Sequence, residues 1–152
     1  MTRKVLFACT YNATRSPMAQ ALCGLLAAKG AIGAVEAASA GVYTGAAVDP
    51  MAIEAMAELG ADITEHAPHS FADIELNGGD LGAFDVVIAL SPAAHRRAVD
   101  YLRDTDTPIE LWGVADATAV EGPETARREA YRAARDALAE RIQERFSAGD
   151  RG

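Results

Sequence analysis

Cysteine is scarce: Cys9 and Cys23 are the only two in 152 residues. They fall on adjoining elements and build no disulfide framework, so a reducing, cytoplasmic setting is expected. Positive charge is scarce as well, with 14 Lys and Arg against 22 Asp and Glu and a net charge of −8. The basic footprint of a nucleic-acid surface is therefore missing. Any anionic ligand must be drawn in by a local positive site, against the overall field. No uninterrupted apolar run reaches membrane-span length. The stretch from Leu22 to Val42 comes nearest, but Lys29, Glu36 and four glycines break it. After Thr2-Arg3-Lys4 the first apolar stretch lasts only five residues, so no secretory signal is expected. Nucleotide-type glycine patterns, internal repeats and low-complexity segments are also lacking. His66 and His69 have no second ligand pair, which favours a hydrogen-bonding role for His66 over a metal. No cofactor is implied.

Half of the residues are hydrophobic, enough for one domain with a core that needs neither disulfide nor metal. We read that domain over residues 1–147, with a short polar tail at 148–152. Strands and helices alternate. Lys4–Ala8 is a buried strand, and Ser16-Pro17 opens a helix with Ser at N-cap, Pro at N1 and Met18, Leu22 and Leu25 on its inner face. Ala34–Ser39 is the second strand, Asp49-Pro50 opens the second helix, and Ala61–Gly82 is turn-rich with a short helix at Phe71–Leu76. A strand at Phe84–Leu90, a helix from Pro92 and a strand at Ile109–Trp112 follow. Tyr131, Ala134, Leu138, Ile142 and Phe146 then mark a long amphipathic helix. This pattern predicts an α/β three-layer sandwich, a four-stranded parallel sheet with helices on both faces. Ligands of such sheets bind beyond the strands' carboxyl ends, where Cys9, Ser39 and Ser91 fall.

The densest chemistry lies in Cys9-Thr10-Tyr11-Asn12-Ala13-Thr14-Arg15-Ser16-Pro17. A strand delivers Cys9 to a tight loop whose far end is a helix N-terminus. Successive N–H groups of such a loop converge into an anion nest. An ordinary thiol is mostly protonated at neutral pH, and the helix N-terminus and the Arg15 guanidinium favour the nucleophilic thiolate. Arg15 presents a planar fork that fits two phosphoryl oxygens. The Ser16 hydroxyl is placed to donate to the sulfur, and Asn12 tolerates left-handed angles and can tie the loop together. By ordinary residue usage, an Arg six residues after either of two cysteines, with Ser or Thr next, arises by chance in about 1% of cases. The phosphate-binding reading therefore covers Thr10, Tyr11, Asn12, Ala13, Thr14, Arg15 and Ser16. Cys23, between Leu22 and Leu25, reads as a small buried apolar residue. His95-Arg96-Arg97 reads as a solvated helix face, or as a contact for an acidic partner. Tyr11 and Tyr43 are candidate aromatic walls of a substrate slot.

These residues resemble the low-molecular-weight protein tyrosine phosphatase family, whose loop is Cys-x5-Arg-Ser/Thr-Pro after the first strand. Ser39-Ala40-Gly41, Asp49-Pro50, Leu59-Gly60, His66, Phe84–Leu90 and Trp112–Asp116 extend the resemblance over residues 3 to 147. The resemblance implies that Asn12, Ser39 and His66 brace the loop and that Asp116 is the general acid. Four positions depart from the family pattern. Tyr11 replaces a glycine, Thr14 a cysteine of eukaryotic members, and Ser91 an acidic residue. Asp116 is followed by Ala117-Thr118 where Pro and an aromatic are usual, which removes a rigid turn and one aromatic wall.

The expected activity is metal-independent phosphomonoester hydrolysis through a cysteinyl-phosphate, acting on a phosphorylated protein or a small aryl phosphate. Phosphate or arsenate is the expected anion, with neither nucleic acid nor membrane as partner, and the protein a monomer or weak dimer. Two other readings stay open. The related arsenate reductase branch has the same fold and loop, but no cysteine follows Cys23, so that activity would need an external thiol. A catalytically weak module that binds phosphorylated partners is the other.

Overall fold

A computed structural model describes residues 2–147; the tail predicted at 148–152 lies outside the described residues. Four strands, β1 (Arg3–Cys9), β2 (Val35–Gly41), β3 (Val86–Ala89) and β4 (Ile109–Leu111), form one parallel sheet in the order β2-β1-β3-β4. Five helices accompany them: α1 (Arg15–Ala28), α2 (Pro50–Ala57), α3 (Phe71–Leu76), α4 (Pro92–Tyr101) and α5 (Glu124–Phe146). The sandwich with helices on both faces is what the alternating pattern predicts.

The period of two along β1 divides the core. Val5, Phe7 and Cys9 face one layer, where Met18, Leu22, Met56, Tyr131, Leu138 and Ile142 from α1, α2 and α5 pack. Leu6 and Ala8 face the other, against Phe71, Ala94 and Ala98 from α3 and α4. Because β1 is central and buried on both sides, it reads as a continuous apolar run, as parallel strands do. The sheet thus fixes Cys9 at the buried carboxyl end of a central strand, on the side covered by α1 and α5.

Two boundaries differ from the sequence reading. The helix α1 starts at Arg15 with Thr14 as N-cap, so Ser16 is already inside the first turn. Its hydroxyl is committed to Cys9 rather than to capping. The third strand is shorter than Phe84–Leu90, because Asp85 turns to bond Lys4: its N–H donates to the Lys4 carbonyl (2.8 Å) and its carboxylate accepts from the Lys4 N–H (2.7 Å). Asp49 caps α2 by accepting from Met51 N–H (2.9 Å), with Pro50 at the first helical position. The end of β2 approaches the loop after β1 so closely that only glycine fits. A Cβ on Gly41 would lie 2.8 Å from the Asn12 nitrogen and 2.5 Å from the Tyr43 carbonyl oxygen.

Candidate active site

The loop from Thr10 to Thr14 turns its carbonyls outward. Those of Thr10, Tyr11 and Ala13 accept from Tyr43, Gly45 and Asp49 N–H (each 2.9 Å), that of Thr14 from Met18 N–H (3.2 Å). The Asn12 carbonyl lies 3.0 Å from the His66 ring nitrogen Nε2. The amides of the same five residues donate to no group among the described residues. A loop with every carbonyl committed outside and every amide uncommitted is a preformed anion cradle, and it opens at the N-terminus of α1.

Cys9 sits at its floor. Its sulfur is 2.9 Å from the Ser16 hydroxyl and accepts from the Ser16 N–H at 3.4 Å. The Asn12 side-chain amide donates to the same Ser16 oxygen (2.9 Å). The Ser16 hydroxyl also lies 3.5 Å from the Ala40 carbonyl as a donor, and against a thiolate, which can only accept, its proton turns to the sulfur. Cys23 is different: wholly buried in α1, its thiol is pushed up to about 12 by that burial.

Asn12, fully buried, is the hub beneath the loop. Its φ of +54° is a left-handed conformation that costs a non-glycine residue about 1–3 kcal/mol. Four bonds offset that cost. The amide nitrogen donates to Ser16 and to Ser39 (2.9 Å each), while the amide oxygen accepts from His69 N–H and faces His66 Nε2 (3.0 Å each). Because His69 N–H can only donate, the orientation of the Asn12 amide is settled, and His66 must carry its proton on Nε2. Ser39 passes the chain on to Gln20 (2.7 Å). Asn12, Ser39 and His66 are thus brought together as one network, and Gln20 and the His69 amide join it unforeseen. The side chains of Asn12 and Ser16 lie buried beneath the cradle, while the Asn12 amide remains one of its five; Cys9, Thr10, Tyr11, Ala13, Thr14 and Arg15 line the cavity.

Burial holds the His66 imidazole below its ordinary value of 6.5. The neutral form is therefore the one the fold selects, and the unfolded chain takes up the proton first. The stability this contributes is present above about pH 6.5 and is lost as pH falls toward the depressed folded value. We expect the melting temperature to drop across that interval in the unaltered protein, and the drop to flatten in His66→Gln. An equal slope in both proteins would remove His66 as the cause.

Arg15 lines the same cavity, and its Nη1 donates to the Leu90 carbonyl (3.0 Å) and the Val114 carbonyl (3.3 Å). These bonds tie the guanidinium to the end of β3 and to the segment that carries Asp116. No carboxylate pairs with it among the described residues, so its charge is not neutralised from within. Ser91 accepts from the Thr10 hydroxyl (3.1 Å) and caps α4 by accepting from Ala94 N–H (3.2 Å). Asp116 also lines the cavity, at the start of a 3-10 turn, Ala117–Ala119. Its Oδ1 accepts from Thr118 N–H (3.0 Å) and the Thr118 hydroxyl (2.6 Å). Thr118 thereby supplies the turn that the missing proline was expected to forfeit.

The cavity measures about 470 Å³ and is completed by Gly45, Ala46, Asp49 and Thr118. Tyr11 lines it, and Tyr43 stands beside Tyr11 with ring centroids 5.8 Å apart, outside the lining. Both tyrosines are exposed. Thr118, where an aromatic wall is usual, lines the cavity, and Ala117, where the proline is usual, is buried against the core. Among the described residues no cluster of three His, Cys, Asp or Glu side chains could hold a metal ion, and no helix is long and apolar enough to cross a membrane.

Residues 4–148 match the family model described as low molecular weight phosphotyrosine protein phosphatase. Among characterised sequences, the chain is similar to the probable low molecular weight protein-tyrosine-phosphatase EpsP of Ralstonia solanacearum, 39% identical over 83 residues, which cover 53% of this chain and 54% of that protein. It thus spans little more than half the length of the curated relatives it matches. Among solved structures, a low molecular weight protein tyrosine phosphatase from T. tengcongensis superposes with a TM-score of 0.69 at 28% identity, covering 95% of this chain and 99% of that one. The arginine phosphatase YwlE of Geobacillus stearothermophilus superposes with a TM-score of 0.70 at 26% identity, covering 94% and 92%. The loop, the sheet beneath it and the near full-length match of the family model agree: the chain belongs to the low molecular weight phosphotyrosine protein phosphatase family.

Proposed function

We propose that the protein hydrolyses aryl phosphates, foremost phosphotyrosine in protein, by double displacement. The observation that carries this reading is the set of five uncommitted amides around the sulfur of Cys9. A phosphoryl group held there presents its phosphorus to that sulfur. In the first step the Cys9 thiolate forms the S–P bond as the P–O bond to the aryl group breaks, and Asp116 gives its proton to the leaving oxygen. In the second, water attacks phosphorus, Asp116 takes its proton, and the S–P bond breaks to return the thiolate. The loop amides and Arg15 stabilise charge on the equatorial oxygens in both transition states. This is the electrostatic work a divalent cation would otherwise do.

Tyr11 supports an aryl substrate, because it offers an exposed ring face at the rim beside the anion cradle. Two free thiols, Cys9 and Cys23, support a reducing compartment such as the cytoplasm. The test is a side-by-side assay of phosphate release from a phosphotyrosine peptide and of arsenate-dependent oxidation of added thiol. Phosphate release with no thiol oxidation is expected. Thiol oxidation without phosphate release would replace the reading by arsenate reduction. Faster release from a phosphorylated arginine peptide, after the activity named for the Geobacillus relative, would overturn the tyrosine assignment and leave the nucleophile in place.

A further inference from the structure

Thr14 occupies the N-cap of α1, yet its hydroxyl caps nothing. An N-cap hydroxyl ordinarily accepts from the second or third amide of its helix. Here the third residue is Pro17, which has no N–H, and the second is Ser16, whose N–H points at the Cys9 sulfur (3.4 Å). Capping by Thr14 could therefore proceed only by taking the Ser16 amide away from the nucleophile. The Thr14 hydroxyl instead donates outward to Asp49 Oδ2 (3.0 Å).

Asp49 is itself fixed from three sides. Its N–H donates to the Ala13 carbonyl, its Oδ1 accepts from Met51 N–H, and its Oδ2 also accepts from the Tyr131 hydroxyl on α5 (2.5 Å). Burial first, and then the neighbouring Asp49 carboxylate, hold the Tyr131 phenol above its ordinary range, so it remains a donor at any working pH. We infer that Asp49, held by Tyr131, is a positioning residue that keeps the Thr14 hydroxyl off the first turn of α1, leaving the Ser16 amide to the Cys9 sulfur and the cradle amides to the anion. The inference rests on the phosphate-binding reading of this loop. It assigns Asp49 a role beyond that of a helix cap, and Tyr131 one beyond core packing.

A double-mutant cycle between Asp49 and Thr14 tests it, read by the rate of Cys9 alkylation with iodoacetate near neutral pH and by protection with inorganic phosphate. Asp49→Ala frees the Thr14 hydroxyl to cap α1, and both readouts are expected to weaken about five-fold, the size of one capping bond. In a Thr14→Ala background, where no hydroxyl is left to swing back, the same substitution is expected to change them by less than about two-fold. An equal loss in both backgrounds would mean that Asp49 serves only the fold, and would overturn the inference. Should Asp49→Ala not fold by near-ultraviolet circular dichroism, Tyr131→Phe, which leaves the α2 cap intact, is expected to show the same background dependence at about two-fold. Its absence there would overturn the inference equally. Phosphate that fails to protect Cys9 in the unaltered protein would overturn the phosphate reading itself, and this inference with it.

Discussion

Replacing Cys9 with serine is expected to lower kcat for p-nitrophenyl phosphate by about 10⁴-fold or more, while phosphate still binds. The two halves of that result come from different parts of the site. Binding belongs to the loop amides and Arg15, none of which the substitution touches. Turnover belongs to the sulfur, which receives the Ser16 amide and hydroxyl. A serine hydroxyl in the same place is a far weaker nucleophile and a poorer leaving group in the second step. Calorimetric titration with phosphate and a chromogenic assay measure the halves separately. Retained turnover in Cys9→Ser would put the nucleophile elsewhere, and lost phosphate binding would mean that the cradle collapses without the sulfur.

Asp116→Asn is expected to reduce kcat/KM by about 10²-fold or more for phenyl phosphate and by under about ten-fold for p-nitrophenyl phosphate. Phenolate leaves poorly without a proton, whereas p-nitrophenolate leaves readily unaided. The ratio kcat/KM reports events up to formation of the phosphoenzyme, so it isolates the protonation step from the later attack of water. Asparagine keeps an oxygen for the Thr118 N–H and hydroxyl, so the turn at Ala117–Ala119 is retained and only the proton is lost. Equal slowing of both substrates would move the acid to another residue. Asp49, which also lines the cavity, is the obvious one to examine, although both its carboxylate oxygens already accept hydrogen bonds.

The architecture was legible because its signals are local. Val5 to Cys9 is an unbroken apolar run, and Asp49-Pro50 and Ser91-Pro92 each place a capping side chain before a proline. The loop was legible because Cys9, Arg15 and Ser16 lie within eight residues of one another. Its supports were harder to read, because they are long-range. Tyr131 meets Asp49 across 82 positions, Arg15 reaches Val114 across 99, and Ser39 meets Gln20 from another element. No periodicity reports such pairs. Tyr131 fits the inner stripe of α5 so well that its hydroxyl goes unremarked, and Asp49 is already accounted for as a cap. Thr118 is a different lesson. Its two bonds to Asp116 form a common local turn, and the eye is drawn instead to the proline missing at Ala117. Ser16 was misplaced at the N-cap for a related reason: Ser-Pro is a good helix start, but here the hydroxyl has stronger business with Cys9 and Asn12.

The covalent step is the claim on which the rest turns. Acid-quenching the enzyme during turnover of a phosphotyrosine peptide, followed by mass spectrometry of the digest, tests it directly. The account predicts one phosphoryl group on the fragment holding Cys9, absent from Cys9→Ser and absent once substrate is exhausted. Steady release of phosphate with that fragment unmodified throughout would contradict it.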